Sequence, residues 1–360
     1  MTAAMMIAGL VLLVIGGEML VRGASKLAVS IGISPLVVGL TVVSFGTSSP
    51  ELAVSVQAAF SGQVDIAMGN VVGSNIFNVL FILGLAALIT PLVVSSQIIR
   101  QEVPLMLAAS LLLLAFAFDG SICRVEAAVL FSLLCAYTAF LIVQSRREQQ
   151  AIRDEYAGES HVATVRTWDD HLPAQIGLIL AGLVLLVFGS RWLVEAAVTI
   201  AKSLGVSELV IGLTIIAAGT SLPEVAASVT AALRGQRDIA VGNVVGSNTF
   251  NILGVLGLSG LVAPMPLVVQ PALLEFDMLV MVAVAVACLP VFFTGATIAR
   301  WEGAVFLGYY IAYMAFVVLT SQRHESVATF ALVMQTVVLP LTILTLLIVT
   351  ARAWKARKSA

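Results

Sequence analysis

Two glutamates, Glu51 and Glu224, stand in runs of apolar and small residues with no Lys or Arg close by. An ionised carboxylate near a bilayer centre costs about 2.5–3.5 kcal/mol, so a matched pair without a basic partner points to a bound cation. Thr47 precedes Glu51, and Thr220 precedes Glu224, by four residues, which puts each hydroxyl on its carboxylate's helix face. Pro50 and Pro223 lack the N–H that would bond the carbonyls of Gly46 and Gly219. The sequence therefore predicts a broken helix before each glutamate, with carbonyl oxygens released around Ser44–Gly46 and Ala217–Gly219. Ser74 with Asn78, and Ser247 with Asn251, add hydroxyl and amide oxygens at the same spacing. Such an all-oxygen set suits Ca²⁺ and Na⁺ and is wrong for zinc. The alternative for the glutamates is a protonated or hydrogen-bonded pair tying two halves together. For the serines and asparagines it is interhelical hydrogen bonding. Asn70, Asn75, Asn243 and Asn248 cannot all share the ion-facing surface, and are expected to hold the broken backbone.

These residues lie in a stretch written twice. Gly39–Leu85 and Gly212–Leu258 align without a gap at an offset of 173, with about two-thirds of positions identical. The chain is 60% hydrophobic and 11% charged, with a mean hydropathy of +1.08, so its main solvent is lipid. Eleven apolar runs are expected to span the membrane, near 4–21, 35–60, 65–90, 102–118, 124–144, 173–193, 207–232, 238–263, 272–294, 301–320 and 327–351. The first basic residue is Arg22, so the N-terminal run reads as a true span and not a signal peptide. An N-terminus placed outside puts most Lys and Arg in the cytoplasm and leaves only Arg124, Arg191, Lys202 and Arg323 outside.

Arg124-Val-Glu126 and Arg300-Trp-Glu302 extend the likeness, so each half holds five helices. Five is odd, and the halves must enter the membrane from opposite sides as inverted repeats. The expected fold is an all-α polytopic membrane protein. Residues 1–144 form the first five-helix repeat, 145–172 a cytoplasmic linker and 173–322 the second repeat. Residues 323–360 add one further helix and a basic cytoplasmic tail.

Other polar residues read as structural. Glu18 with Arg22, and Arg191 with Glu195, are spaced for ion pairs within a helix. Asp65 and Asp238 look like N-terminal caps, with a cation vestibule as the alternative, and Glu102 and Glu275 like matching first-turn acids. Cys123, Cys135 and Cys288 lack metal-like spacing and are expected as small core residues; His161, His171 and His324 are expected in solvent.

Gly46-Thr-Ser-Ser-Pro-Glu51 and Gly219-Thr-Ser-Leu-Pro-Glu224, each followed by Gly-Asn-Val-Val-Gly-Ser-Asn, resemble the two alpha-repeats of the calcium/cation antiporter superfamily, with bacterial calcium/sodium antiporters as the nearest match. The resemblance covers about Met5–Thr320, the sodium/calcium exchanger membrane region. It implies that Ca²⁺ and Na⁺ compete for sites between the second, third, seventh and eighth helices, while the first and sixth slide across the rest. Carried over, the Ca²⁺ site uses Glu51, Glu224, Thr47 and Thr220. Flanking Na⁺ sites add Ser48, Ser221, Ser74, Ser247 and the carbonyls of Ser44 and Ala217, with Asn78 and Asn251 facing the centre. Some members, including potassium-dependent exchangers, carry Asp at the position of Asn251. Its absence leaves two central carboxylates and argues against potassium dependence. The eleventh helix departs from the family's ten-helix pattern.

Two glutamates carry −2, which one Ca²⁺ neutralises and Na⁺ matches only by multiple occupancy. An empty site keeps buried negative charge and resists crossing the barrier, so switching is confined to loaded states. The expectation is a bacterial inner-membrane antiporter exchanging Ca²⁺ for Na⁺, without a cofactor, nucleic acid or required protein partner. Ca²⁺/H⁺ antiport on the same scaffold is the alternative, a cation channel a weaker one. The spans hold no Ser/Lys, paired-Asp or His-rich constellation that would make an intramembrane enzyme.

Overall fold

Long apolar runs in lipid fold as helices because each backbone polar group must be satisfied within its own segment. A computed structural model describes residues 2–155, 169, 171–205, 211, 214–215 and 217–359. Among the described residues nine helices are long and apolar enough to cross a membrane, and a bent pair makes a tenth span. In chain order the helices are α1 (Thr2–Ile31), the pair α2 (Pro35–Thr47) and α3 (Ser49–Phe60), α4 (Val64–Ile89), α5 (Ile98–Asp119) and α6 (Arg124–Glu155). They continue as α7 (Leu172–Ser203), α8 (Leu222–Leu233), α9 (Arg237–Val262), α10 (Leu273–Phe293), α11 (Arg300–Ser321) and α12 (Ser326–Ala351). The start of the span expected over 207–232 lies outside the described residues, and α8 is its second part.

The first helix of each half runs about ten residues beyond its expected end: 30 residues in α1 and 32 in α7. Charge did not stop α1, because there it finds partners. The sequence predicts pairing of Glu18 with Arg22 inside the helix; the ion pairs instead reach across the fold. Arg22 Nε meets Asp169 Oδ2 at 2.6 Å, Lys26 Nζ lies 3.8 Å from Asp169 Oδ1, and Glu18 pairs with Arg234. Arg191 and Glu195 are both exposed and form no ion pair among the described residues.

Helices α1 and α7 pack along glycines spaced by seven. A Cβ at Gly9 would stand 2.9 Å from the Gly189 carbonyl, one at Gly16 2.9 Å from that of Gly182, and one at Gly23 2.9 Å from that of Gln175. Numbers rise along α1 as they fall along α7, so the helices run antiparallel at backbone contact, where only glycine fits.

Helices α4 and α9 form the centre, α9 buried along its whole apolar length. Four two-residue strands interrupt the all-helical picture: β1 (Leu92–Val93), β2 (Ser121–Ile122), β3 (Leu267–Val268) and β4 (Thr297–Ile298). They pair antiparallel across the halves, Leu92 with Ile298 and Ile122 with Leu267. Arg124 Nη2 donates to the Ala263 carbonyl (2.9 Å) and Arg300 Nη2 to that of Ile89 (3.2 Å), so each half's arginine closes a helix end in the other. Helix α12 buries none of its apolar stretch and touches the rest at points such as Tyr309 with Thr342. Of the three free cysteines, Cys288 is buried as expected, Cys123 is half-buried and Cys135 is exposed on the outer face of α6.

Candidate ion-binding site

The two helix breaks have nearly the same backbone: Ser48 at φ −80°, ψ 7° and Ser221 at φ −88°, ψ 7°. In the first half α2 and α3 meet there at 48°. The bend follows Thr47, so fewer carbonyls are freed than the sequence predicts. Ser44 O accepts the Ser48 N–H at 2.9 Å, and Phe45 O accepts the Ser49 hydroxyl at 2.9 Å. The Thr47 hydroxyl also stands 3.4 Å from Ser44 O, so that carbonyl's second lone pair is open only while Thr47 turns its proton to another acceptor. Ala217 opens a short helical turn, Ala217–Gly219.

Each break places a glutamate in the first turn of the helix that follows, α3 or α8. The halves then serve one another. Ser48 Oγ donates to Glu224 Oε1 at 2.8 Å, and Ser221 Oγ donates to Glu51 Oε1 at 2.8 Å. The Thr47 hydroxyl faces Glu224 and the Thr220 hydroxyl faces Glu51. Thr47 Oγ1 also lies 3.2 Å from Asn243 Oδ1, and Thr220 Oγ1 3.4 Å from Asn70 Oδ1. Ser74 Oγ is 3.2 Å from Ser221 Oγ.

Among these residues Ser44, Thr47, Ser48, Glu51, Ser74, Asn78, Ser221, Glu224, Ser247 and Asn251 are buried, and Thr220 is half-buried. No ion pair reaches either glutamate among the described residues. Five side-chain oxygens of the set have no hydrogen-bond partner there: Glu51 Oε2, Glu224 Oε2, Asn78 Oδ1, Asn251 Oδ1 and Ser247 Oγ. Buried acceptors are normally satisfied, so lone pairs that face no donor are open to a cation. Asn78 and Asn251 each begin a π-helical turn, Asn78–Leu83 and Asn251–Leu256, a distortion common at functional sites.

The family profile described as sodium/calcium exchanger protein matches residues 1–143 and 174–319. The chain belongs to the sodium/calcium exchanger family. The matched segments leave out the whole linker and all of α12. Its relatives include the sodium/calcium exchanger MaX1 of Methanosarcina acetivorans, 35% identical over 335 residues and covering 85% of this chain and 95% of the relative. The inner membrane protein YrbG of Escherichia coli is 40% identical over 264 residues, covering 73% of this chain and 81% of the relative. A solved structure of the sodium-calcium exchanger NCX_Mj aligns with a TM-score of 0.73 at 29% identity, over 87% of this chain and 98% of that one. The family consists of transporters and not enzymes, and membership with this fold makes the chain a membrane antiporter of Ca²⁺ and another cation.

Other expectations need correction. Asp65 and Asp238 are not caps: Gln63 and Gln236 hold that position, and the acids sit inside the first turns of α4 and α9. Asp65 Oδ2 accepts Gln270 Nε2 at 2.7 Å, whereas Asp238 lines a cavity of about 480 Å³ with Ser34, Ser95 and Gln97. Glu102 is fully buried, held by the Tyr137 hydroxyl at 2.5 Å and by Gln97 and Gln101 at 3.0 Å. Its counterpart in the second half is not Glu275, which is exposed, but Asp277, bonded to the Tyr313 hydroxyl at 2.8 Å. The repeated Leu-Val-Val at 92–94 and 267–269, offset by 175, carried that signal. His324 accepts the Ser326 N–H at 3.1 Å, and His161 lies outside the described residues.

Proposed function

We propose that the chain exchanges Ca²⁺ for Na⁺ by alternating access at a mid-membrane site built from Glu51, Glu224, Thr47 and Thr220. Ser48, Ser221, Ser74, Ser247, Asn78, Asn251 and the carbonyls of Ser44 and Ala217 complete its oxygen ligands. The observation that carries this reading is the set of unpartnered buried oxygens on Glu51, Glu224, Asn78 and Asn251, two from each half. A cation satisfies all four; a hydrogen-bonded glutamate pair alone would leave them costly. One Ca²⁺ balances both carboxylates, and Na⁺ does so only as more than one ion. Residues 1–144 and 173–322 then act as inverted repeats, a reading supported by the antiparallel packing of α1 and α7. The N-terminus lies outside, and the basic C-terminal tail in the cytoplasm of a bacterial inner membrane.

The test is radiolabelled Ca²⁺ uptake by proteoliposomes under an outward Na⁺ gradient with pH clamped. Uptake that collapses with the Na⁺ gradient supports the proposal. Uptake that follows only an imposed pH gradient assigns H⁺ as counter-ion and defeats it.

A further inference from the structure

Asn75 and Asn248 form a closed circuit across the pseudo-symmetric centre. Asn75 Nδ2 donates to the Asn248 main-chain carbonyl and Asn248 Nδ2 to that of Asn75, both at 3.2 Å. Their own Oδ1 atoms accept from the other pair: Asn251 Nδ2 to Asn75 Oδ1 at 3.1 Å, and Asn78 Nδ2 to Asn248 Oδ1 at 2.9 Å. Asn75 Nδ2 also faces Met281 Sδ at 3.7 Å. All four amides are buried.

The direction of this circuit is fixed by chemistry. A main-chain carbonyl can only accept, so the atom of Asn75 or Asn248 that meets it must be the NH₂ group. The opposite end of each is then a carbonyl oxygen, which can bind only a donor. Asn78 and Asn251 must therefore turn their NH₂ groups outward to the circuit and their oxygens inward. Those inward oxygens are among the atoms without a partner. A side-chain amide is nearly isosteric end to end, and unsupported it could equally present NH₂, which repels a cation.

We propose that Asn75 and Asn248 are positioning residues that hold Asn251 and Asn78 with carbonyl oxygen, not NH₂, toward the transported cation. They do not touch the ion, because both ends of each amide are already engaged. The inference rests on the proposed ion site and adds how that site keeps its polarity with only two carboxylates.

The test uses the purified full-length chain, with Ca²⁺ binding by calorimetry and Na⁺-driven Ca²⁺ uptake in proteoliposomes. Asn248→Ala should weaken Ca²⁺ binding about 10–100-fold, the range for partners that orient a metal ligand. Adding Asn78→Asp should restore affinity to within about threefold, since a carboxylate presents oxygen whichever way it turns. A purely structural clasp gives no such rescue. Asn75→Ala with Asn251→Asp repeats the test in the other half. Unchanged affinity in the alanine variants, loss without rescue, or failure of both alanine variants to fold overturns the assignment. Absence of Ca²⁺ binding by the wild-type chain would sink the ion site itself, a distinct result.

Discussion

Around the carboxylates the two halves are near-copies, and at their approaches they part. Ser48 serves Glu224 as Ser221 serves Glu51, at the same 2.8 Å, and Asn75 mirrors Asn248. Further out, Asp65 is held by Gln270, while its repeat partner Asp238 has no side-chain partner among the described residues and lines a cavity. Glu102 sits among glutamines next to that cavity, whereas Asp277 lies near Phe276, which stacks on Tyr313 and packs on Phe316. In the proposed site a single ion would be met by both copies, which fits the likeness of their central residues. In the proposed inverted arrangement the approaches face different compartments, and nothing there would hold them to the same solution.

The largest effect tests the likeness at the centre. Glu51→Gln and Glu224→Gln should each lower Ca²⁺ uptake by more than about 100-fold, above the loss typical of orienting partners. Wild-type uptake by either would break the equivalence of the halves. Next come Ser48→Ala and Ser221→Ala, each removing a hydrogen bond to a carboxylate worth about 1.5–3 kcal/mol. Apparent Ca²⁺ affinity should fall by about 10–100-fold, by similar factors in the two variants. A loss confined to one would make the site lopsided.

A packing change comes third. A Cβ on Gly246 would lie 2.6 Å from Leu40 O and from Ser44 Oγ, so Gly246→Ala should cost about 1–3 kcal/mol of stability. A thermal melt in detergent reads that loss. The smallest effect sharpens the contrast at the approaches. Asp238→Asn should slow Ca²⁺ loading a few-fold at low salt, by loss of local attraction to a cation. Asp65→Asn, on an exposed and already bonded acid, should change it less; equal effects would remove the contrast.

Much of this was legible in the residues. The doubled motif, the prolines beside Glu51 and Glu224, and the i, i+4 hydroxyls pointed to the buried oxygen cluster, because each acts over one helical turn. What depended on the far half was harder. The partners of Glu18 and Arg22 come from segments remote in sequence, so local spacing suggested the wrong pairing. The true match of Glu102 was masked by a two-residue shift between halves, invisible inside the gapless block. The four short strands carry too few residues for any periodic pattern. The glycines of α1 and α7 gain their role from the facing helix, which no spacing within one helix reveals.

Those strands carry a consequence for assembly. Because β1 closes on β4 and β2 on β3, each half lends a backbone edge that only the other can complete. Severed in the linker, neither fragment could finish itself. Produced together, they should recognise one another as mates, and a cell making only one would be left with an orphan fit for proteolysis.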